Sequence, residues 1–204
     1  MKPILFNTQM VQAIQDGRKT CARRAVKPQP KGQIYPMPQG SCYPGCWGCA
    51  GTDAVARAPY QPGDVLWVRE AWCKYNSYFH YKESEMTNDS AWLEDKNIKW
   101  RPSIHMPKEA TRIFLRVKGV RMELLQDIDD DGAKAEGANY QDGKNVGWEE
   151  KMRRSAIDRF AEIWDNTLKP ADRALYGWAA NPWVWVIEFE RISKDEALGG
   201  GGAK

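Results

Sequence analysis

Gly17-Arg18-Lys19-Thr20-Cys21-Ala22-Arg23-Arg24 is the stretch on which the reading of this chain turns. A short apolar run, Ile4-Leu5-Phe6, precedes it, followed by a segment with helical spacing, Met10, Val11 and Ile14, that ends at Asp16-Gly17. Glycine just past a helix end tolerates the positive φ that closes the last turn. The pattern predicts strand, helix, strand over residues 1 to 24, with the octet entering the second strand. Four cations within eight residues are costly to bury unless something anionic faces them. The octet is either a solvated basic edge, as charge runs usually are, or a rim that meets phosphate or a polar substrate.

Downstream, Pro62-Gly63-Asp64-Val65-Leu66-Trp67-Val68-Arg69-Glu70-Ala71-Trp72 reads as a turn followed by a strand. Val65 to Val68 is nearly continuous in apolar character, which predicts burial on both faces. Arg69 and Glu70 end it on opposite faces, so one of them turns inward, toward a cleft or toward a paired charge. Tyr75 to Tyr81 is strand-like. Proline at both ends of the stretch from Trp100 to Pro107 predicts an extended path beside the body of the fold. Thr111 to Leu124 alternates and reads as a long strand, with Ile113, Leu115 and Val117 on one side and Arg112, Phe114 and Arg116 on the other.

Gln126 to Ala138 is a short acidic helix or turn. Asp127, Asp129, Asp130 and Asp131 suit the start of a helix, whereas Glu136 sits at its end, where a carboxylate is unfavourable. Gly147 to Leu168 is the clearest helix, with Ile157, Phe160, Ala161 and Trp164 as its apolar stripe and Lys151, Arg153 and Arg154 on a solvated face. Trp183, Trp185, Ile187 and Phe189 line one face of the last strand. Residues 193 to 204 read as a disordered tail.

Length and composition bound the function. Two hundred and four residues fit one domain, 1 to 192, with loop-like insertions at about 27–58 and 82–99. A net charge of +3 permits a nucleic-acid partner without demanding one. Ten tryptophans supply burial and also stacking surface. No apolar run is long enough to span a membrane, and the N-terminus lacks a hydrophobic leader core, so the expected location is cytoplasmic. In that compartment the five cysteines are first of all thiols or metal ligands. Cys42, Cys46 and Cys49 lie close enough to share a structural zinc ion, with Cys21, Cys73, His80 or water as its fourth ligand; three reduced thiols in a loop are the alternative. A radical-SAM cluster uses the same spacing but needs repeated strand–helix units that are missing here.

Taken in order, the opening strand and helix, GRKT followed by an Arg pair, PGDVLWVRE, Ile104-His105-Met106-Pro107, Arg112 to Val117, Ala135-Glu136-Gly137 and the last strand resemble the ASCH family of the PUA-like superfamily, most of all its phage and prophage branch. The resemblance covers most of the chain. It implies an α+β fold built on a PUA-like small β-barrel with flanking helices, and a cleft that takes RNA or a modified nucleoside. Arg23, Arg24, Arg69, Glu70, Trp72 and His105 are the expected substrate or RNA contacts. Some small bacterial members hydrolyse N4-acetylcytidine through a lysine, a threonine three positions later and a later glutamate. Lys19 and Glu136 match the first and last of these, while Ala22 stands at the threonine position. Thr20 is the nearest hydroxyl on the strand face of Ala22, displaced by roughly 6 to 7 Å. Three functions follow as expectations: a binding module, a hydrolase (amidohydrolase or ribonuclease) with Lys19 and Glu136 moving the proton, or a prophage protein whose barrel binds another protein.

Overall fold

A computed structural model of the chain describes residues 1–32, 34–37, 46–49, 55–85, 98–138 and 155–199. The fold is α+β. In chain order it runs β1 (Lys2–Leu5), α1 (Thr8–Gln15), β2 (Cys21–Ala25), β3 (Ile34–Pro36), β4 (Cys46–Cys49), β5 (Val55–Arg57), β6 (Val65–Arg69), β7 (Trp72–Tyr75), β8 (Tyr78–Tyr81), α2 (Lys82–Glu85) and β9 (Phe114–Leu124). There follow α3 (Asp130–Ala135), α4 (Ala156–Thr167), α5 (Arg173–Tyr176), β10 (Trp183–Ile192) and α6 (Lys194–Ala197). Five strands are hydrogen-bonded in the order β1-β6-β9-β10-β2, so β1 and β2 are its two ends. Strands β3-β4-β5 form a second sheet and β7-β8 a hairpin. The chain divides into two compact units: 1–18, 63–117 and 189–204 make the first, and 19–62 and 118–188 the second.

In the first unit β1 pairs in parallel with β6, and β6 pairs antiparallel with β9. Helix α1 connects out of β1 as the sequence predicts. Asn7 accepts the Met10 N–H at 2.9 Å as its N-cap, Val11, Ala13 and Ile14 are buried, and Gly17 closes the helix at φ 74°. Leu66 and Val68 are buried on one face of β6. The other face is covered only in part, by packing of Val65 and Trp67 on Phe114, Ile192 and Ala197, which corrects the expectation of a strand buried on both sides. In the second unit a core of Leu125, Ile128, Phe160, Trp164, Val184 and Val186 joins α3, α4 and β10.

Several further expectations change. The loop-like insertion from 27 to 58 contains the sheet β3-β4-β5, because its short extended pieces pair with one another, which periodicity within each piece does not report. The stretch from Trp100 to Pro107 is not extended throughout. Pro102 and Pro107 hold φ at −58° and −74° and open short 3-10 turns, Ser103–His105 and Lys108–Ala110. Strand β10 buries both faces between Val184 and Ile187, because Val184 and Val186 enter the core beneath α4. The tail is ordered further than expected. Ser193 and Glu196 form a capping box on α6, and Ala197 packs beside Phe114 and Ile192. The long helix is described from Ala156, with Ser155 and Asp158 closing a capping box; Lys151, Arg153 and Arg154 lie outside the described residues.

Candidate functional site

The basic octet is sorted by strand geometry. Lys19 forms an isolated antiparallel bridge to Glu136, and the Thr20 N–H donates to the Ala135 carbonyl at 2.8 Å. Beyond that point β2 is extended and antiparallel to β10, with Ala22 opposite Ile187, Arg23 opposite Val186 and Arg24 opposite Trp185. Directly opposed residues of an antiparallel pair share a face. One face of β2 therefore carries Cys21, Arg23 and Ala25 toward the core under α4, and the other carries Ala22 and Arg24 beside Ile187 and Trp185.

On the first face four charges meet. Lys19 Nζ donates to Glu136 Oε2 at 2.5 Å and to the Glu136 carbonyl oxygen at 2.9 Å. Arg23 donates through Nε and Nη2 to Glu123 Oε1, at 2.9 and 2.7 Å, and through Nη1 to Glu136 Oε1 at 3.4 Å. Lys19, Arg23 and Glu136 are each buried, so two buried cations face two carboxylates, and Arg121 reaches Glu123 from the more exposed side at 3.2 Å. A buried pair of this kind survives desolvation only when further hydrogen bonds satisfy its remaining atoms, as they do here. Glu136 is the C-cap of α3, so the carboxylate that the helix dipole disfavours is held by cations instead. Asp129, the N-cap, and Asp130 and Asp131 in the first turn sit where the sequence puts them.

Cys21 lies inside this cluster. Its thiol accepts from Arg23 Nη1 at 3.7 Å, and burial, followed by the Glu136 charge, pushes its pKa up to about 12. It is a thiol, not a thiolate nucleophile, at neutral pH. Thr20 is exposed, and Ala22 is buried on the other face of the strand. Ala22 thus brings no hydroxyl to the Lys19–Glu136 pair, and the Cys21 thiol beside it is protonated. On the second face Arg24 shares its side of the sheet with Trp185, whose ring packs edge-on to Trp47 at 6.4 Å. Desolvation lowers the Arg24 pKa against the opposing charges of Glu136 and Tyr60.

The remaining expected contacts, Arg69, Glu70, Trp72 and His105, all belong to the first unit. There the stretch 69–72 runs against 101–112. The Arg69 guanidinium donates to the Ile104 carbonyl, Trp72 and Arg101 exchange backbone hydrogen bonds at 3.2 and 2.7 Å, and the Glu70 N–H meets Met106 Sδ at 3.2 Å. Glu70 is the residue that turns inward, and it does so toward a paired charge. Arg112 donates to both of its oxygens, at 2.9 and 2.8 Å, and also to Glu83 at 3.0 Å and Ser84 at 2.7 Å. Burial nevertheless raises the Glu70 pKa, against the hydrogen bonds and charge of Arg112. His105 is exposed in its 3-10 turn. Arg69 Nε, Trp72 Nε1 and Thr111 Oγ1 are buried without a hydrogen-bond partner among the described residues.

Cys46 and Cys49 are buried in β4, three positions apart along one strand, so their side chains leave on opposite faces. Cys42 lies outside the described residues, among which no three His, Cys, Asp or Glu side chains gather as a metal site. No helix among the described residues is long and apolar enough to cross a membrane. Sequence reasoning did not find Glu123, Arg112 or Glu83. Their only signal is a charge placed in or beside an apolar strand, which names a need for a partner without saying which one. No protein-family model, curated protein or solved structure matches the chain.

Proposed function

We propose that this chain is a binding protein for single-stranded RNA or a modified nucleoside, of the PUA-like ASCH kind that its motif order resembles. The observation that carries the reading is the division of the octet. Lys19 and Arg23 are consumed by buried carboxylates, while Arg24 stands on the opposite face of β2 beside the Trp185–Trp47 pair. An arginine next to aromatic rings suits a nucleobase and its phosphate, through stacking and charge together. Chemistry at Lys19 and Glu136 is the second reading, favoured by one feature: their 2.5 Å contact, made across 117 residues of sequence, joins the two groups that the resembling hydrolases use. Against it stands Ala22, which puts no hydroxyl where the resembling hydrolases have a threonine, since a lysine–glutamate pair needs a hydroxyl, thiolate or positioned water to activate.

Two measurements separate the readings. Affinity for a single-stranded RNA should fall linearly with salt on logarithmic axes, and Arg24→Gln should weaken it and reduce the slope by about one. Release of cytidine from N4-acetylcytidine, followed by chromatography, should be absent in the wild type and in Ala22→Thr, because a hydroxyl introduced at position 22 leaves on the face away from Lys19. Turnover by the wild type would transfer the conclusion to the hydrolase. An Arg24→Gln protein that binds RNA as tightly as the wild type would remove this face from the site.

A further inference from the structure

Residues 71–82 and 98–108 hold Lys74, Lys82, Lys99, Arg101 and Lys108, and no carboxylate. The first segment folds as the hairpin β7–β8, with Trp72 opposite Tyr81 and Lys74 opposite Phe79. On its other edge Trp72 forms an isolated antiparallel bridge to Arg101. Directly opposed residues share a face, and so do residues two apart along a strand. Trp72, Lys74, Phe79, Tyr81 and Arg101 therefore stand on one face.

The rings of that face are packed. Trp72 is buried against Met106 and Ala110, and Phe79 meets its ring edge-on at 5.7 Å. The cations lie outside the rings. Arg101 is 5.2 Å from the Trp72 centroid and Lys74 5.7 Å from that of Phe79, and both residues are exposed. At the Tyr81 end of this row Arg112 lies 4.1 Å from the ring and is engaged by Glu70 and Glu83. At the Trp72 end neither Arg101 nor Lys74 meets a carboxylate among the described residues. The ring under Arg101 holds one more donor: Trp72 Nε1 is buried with no hydrogen-bond partner among the described residues. A buried N–H left unmade costs more than an ordinary bond returns, so a group that accepts from it is favoured.

We propose that this end of the row is a phosphate site, in which Arg101 and Lys74 hold the anion and the Trp72 N–H is its third donor. A guanidinium fork, an ammonium and an indole N–H come together from two segments of chain, and none of them brings an acceptor. A carboxylate has two oxygens, which the Arg101 fork alone saturates. A phosphate has oxygens left over for Lys74 and for the indole. The anion draws the Arg101 head away from the ring, and that movement uncovers the indole edge. The rings stay packed, so no base stacks here. What is recognised is the phosphate group, on a nucleic-acid backbone or free in solution. The site shares no residue with the Arg24 face and does not depend on the RNA-binding reading.

The test follows the indole N–H signals by heteronuclear NMR while inorganic phosphate is added at constant ionic strength, with the Trp72 signal identified by its loss in Trp72→Phe. That signal should move downfield and saturate with phosphate, and stay in place with chloride. Arg101→Gln and Lys74→Gln should each weaken the response by about tenfold, the worth of one charge-assisted hydrogen bond. Lys169→Gln, which removes an exposed cation of the other unit, should leave it unchanged. Arg101 and Lys74 are exposed, so both variants should keep the thermal midpoint of the wild type. A second arm uses an oligouridylate without a terminal phosphate. Saturation with it at lower concentration assigns the site to a nucleic-acid backbone, and saturation with inorganic phosphate alone assigns it to a free phosphate; either upholds the site. A wild type that binds no oligouridylate but saturates with phosphate removes the RNA reading and leaves this site standing. A Trp72 signal that moves with neither probe overturns the proposal, as does a loss in Lys169→Gln equal to that in Arg101→Gln.

Discussion

The two charged clusters of this protein solve the same problem with different stoichiometry. In the second unit, the buried Lys19 and Arg23 face Glu123 and Glu136, two buried cations against two carboxylates with Arg121 reaching Glu123 from the surface, and the Lys19, Arg23 and Glu136 side chains are no more than 6% exposed. In the first unit, among the described residues, Arg112 alone faces Glu70 and Glu83, and its own side chain remains 26% exposed. A matched set can close over itself. An unmatched one leaves a carboxylate that desolvation drives toward its protonated form, and Glu70 is that group. The lesson is that a buried ion pair by itself says little about function: the cluster matching the hydrolase resemblance is the one whose charges are already satisfied by each other.

The largest effect should come from breaking the matched set. Glu136→Ala strands Lys19 and part of Arg23 in the interior, and a lost partner in a buried pair costs about 3–5 kcal/mol. Urea unfolding should show that loss. The double change Lys19→Met with Glu136→Leu should cost less than Glu136→Ala alone, since it removes both charges together. A loss under about 1 kcal/mol for Glu136→Ala would mean that the cluster is open to water and that the contrast drawn here is wrong.

Glu70→Gln should cost less, about 1–3 kcal/mol, because Arg112 keeps Glu83. Its signature is the pH dependence. The Glu70 pKa is raised above its unfolded value of about 4.5, so the stability tied to its protonated form is complete below that pH and declines as pH rises through the folded value. Thermal midpoints of the wild type, corrected with Glu70→Gln as the reference, should fall on going from pH 4.5 upward. A rise over that range would show that Arg112 outweighs burial.

The smallest effect concerns Cys21. Its thiol pKa of about 12 predicts that the native protein leaves it unalkylated by iodoacetamide at pH 8.5, as read by peptide mass spectrometry, and that it reacts only after unfolding. Labelling in the native state would place a thiolate beside Lys19 and supply the nucleophile that the hydrolase reading lacks.

Much of the local structure was legible. Helix α1 with its Gly17 stop, the alternation of Ile113, Leu115 and Val117, and the acidic start of α3 followed from periodicity, capping and the helix dipole, all of which act within a few residues. The conflict of Glu136 at a helix end was legible as a conflict, because a carboxylate there opposes the dipole wherever the chain goes. The resemblance named Lys19 and Glu136 together, and the fold brings the two side chains into contact at 2.5 Å. What stayed hidden depended on partners far along the chain: Arg23 with Glu123 across 100 residues, Arg112 with Glu70 across 42, and the sheet β3-β4-β5 inside a stretch rich in proline.

The sequence by itself determined which residues are charged, which are apolar, and which face of each strand they share, since side chains alternate along a strand without reference to anything distant. Only the tertiary structure decided which charges neutralise one another. That decision rests on desolvation: a cation taken out of water must find a carboxylate within a few ångströms, and no rule of spacing names the one it finds. It is also the tertiary structure that put Glu136 against the side of β2 that carries Cys21 and Arg23.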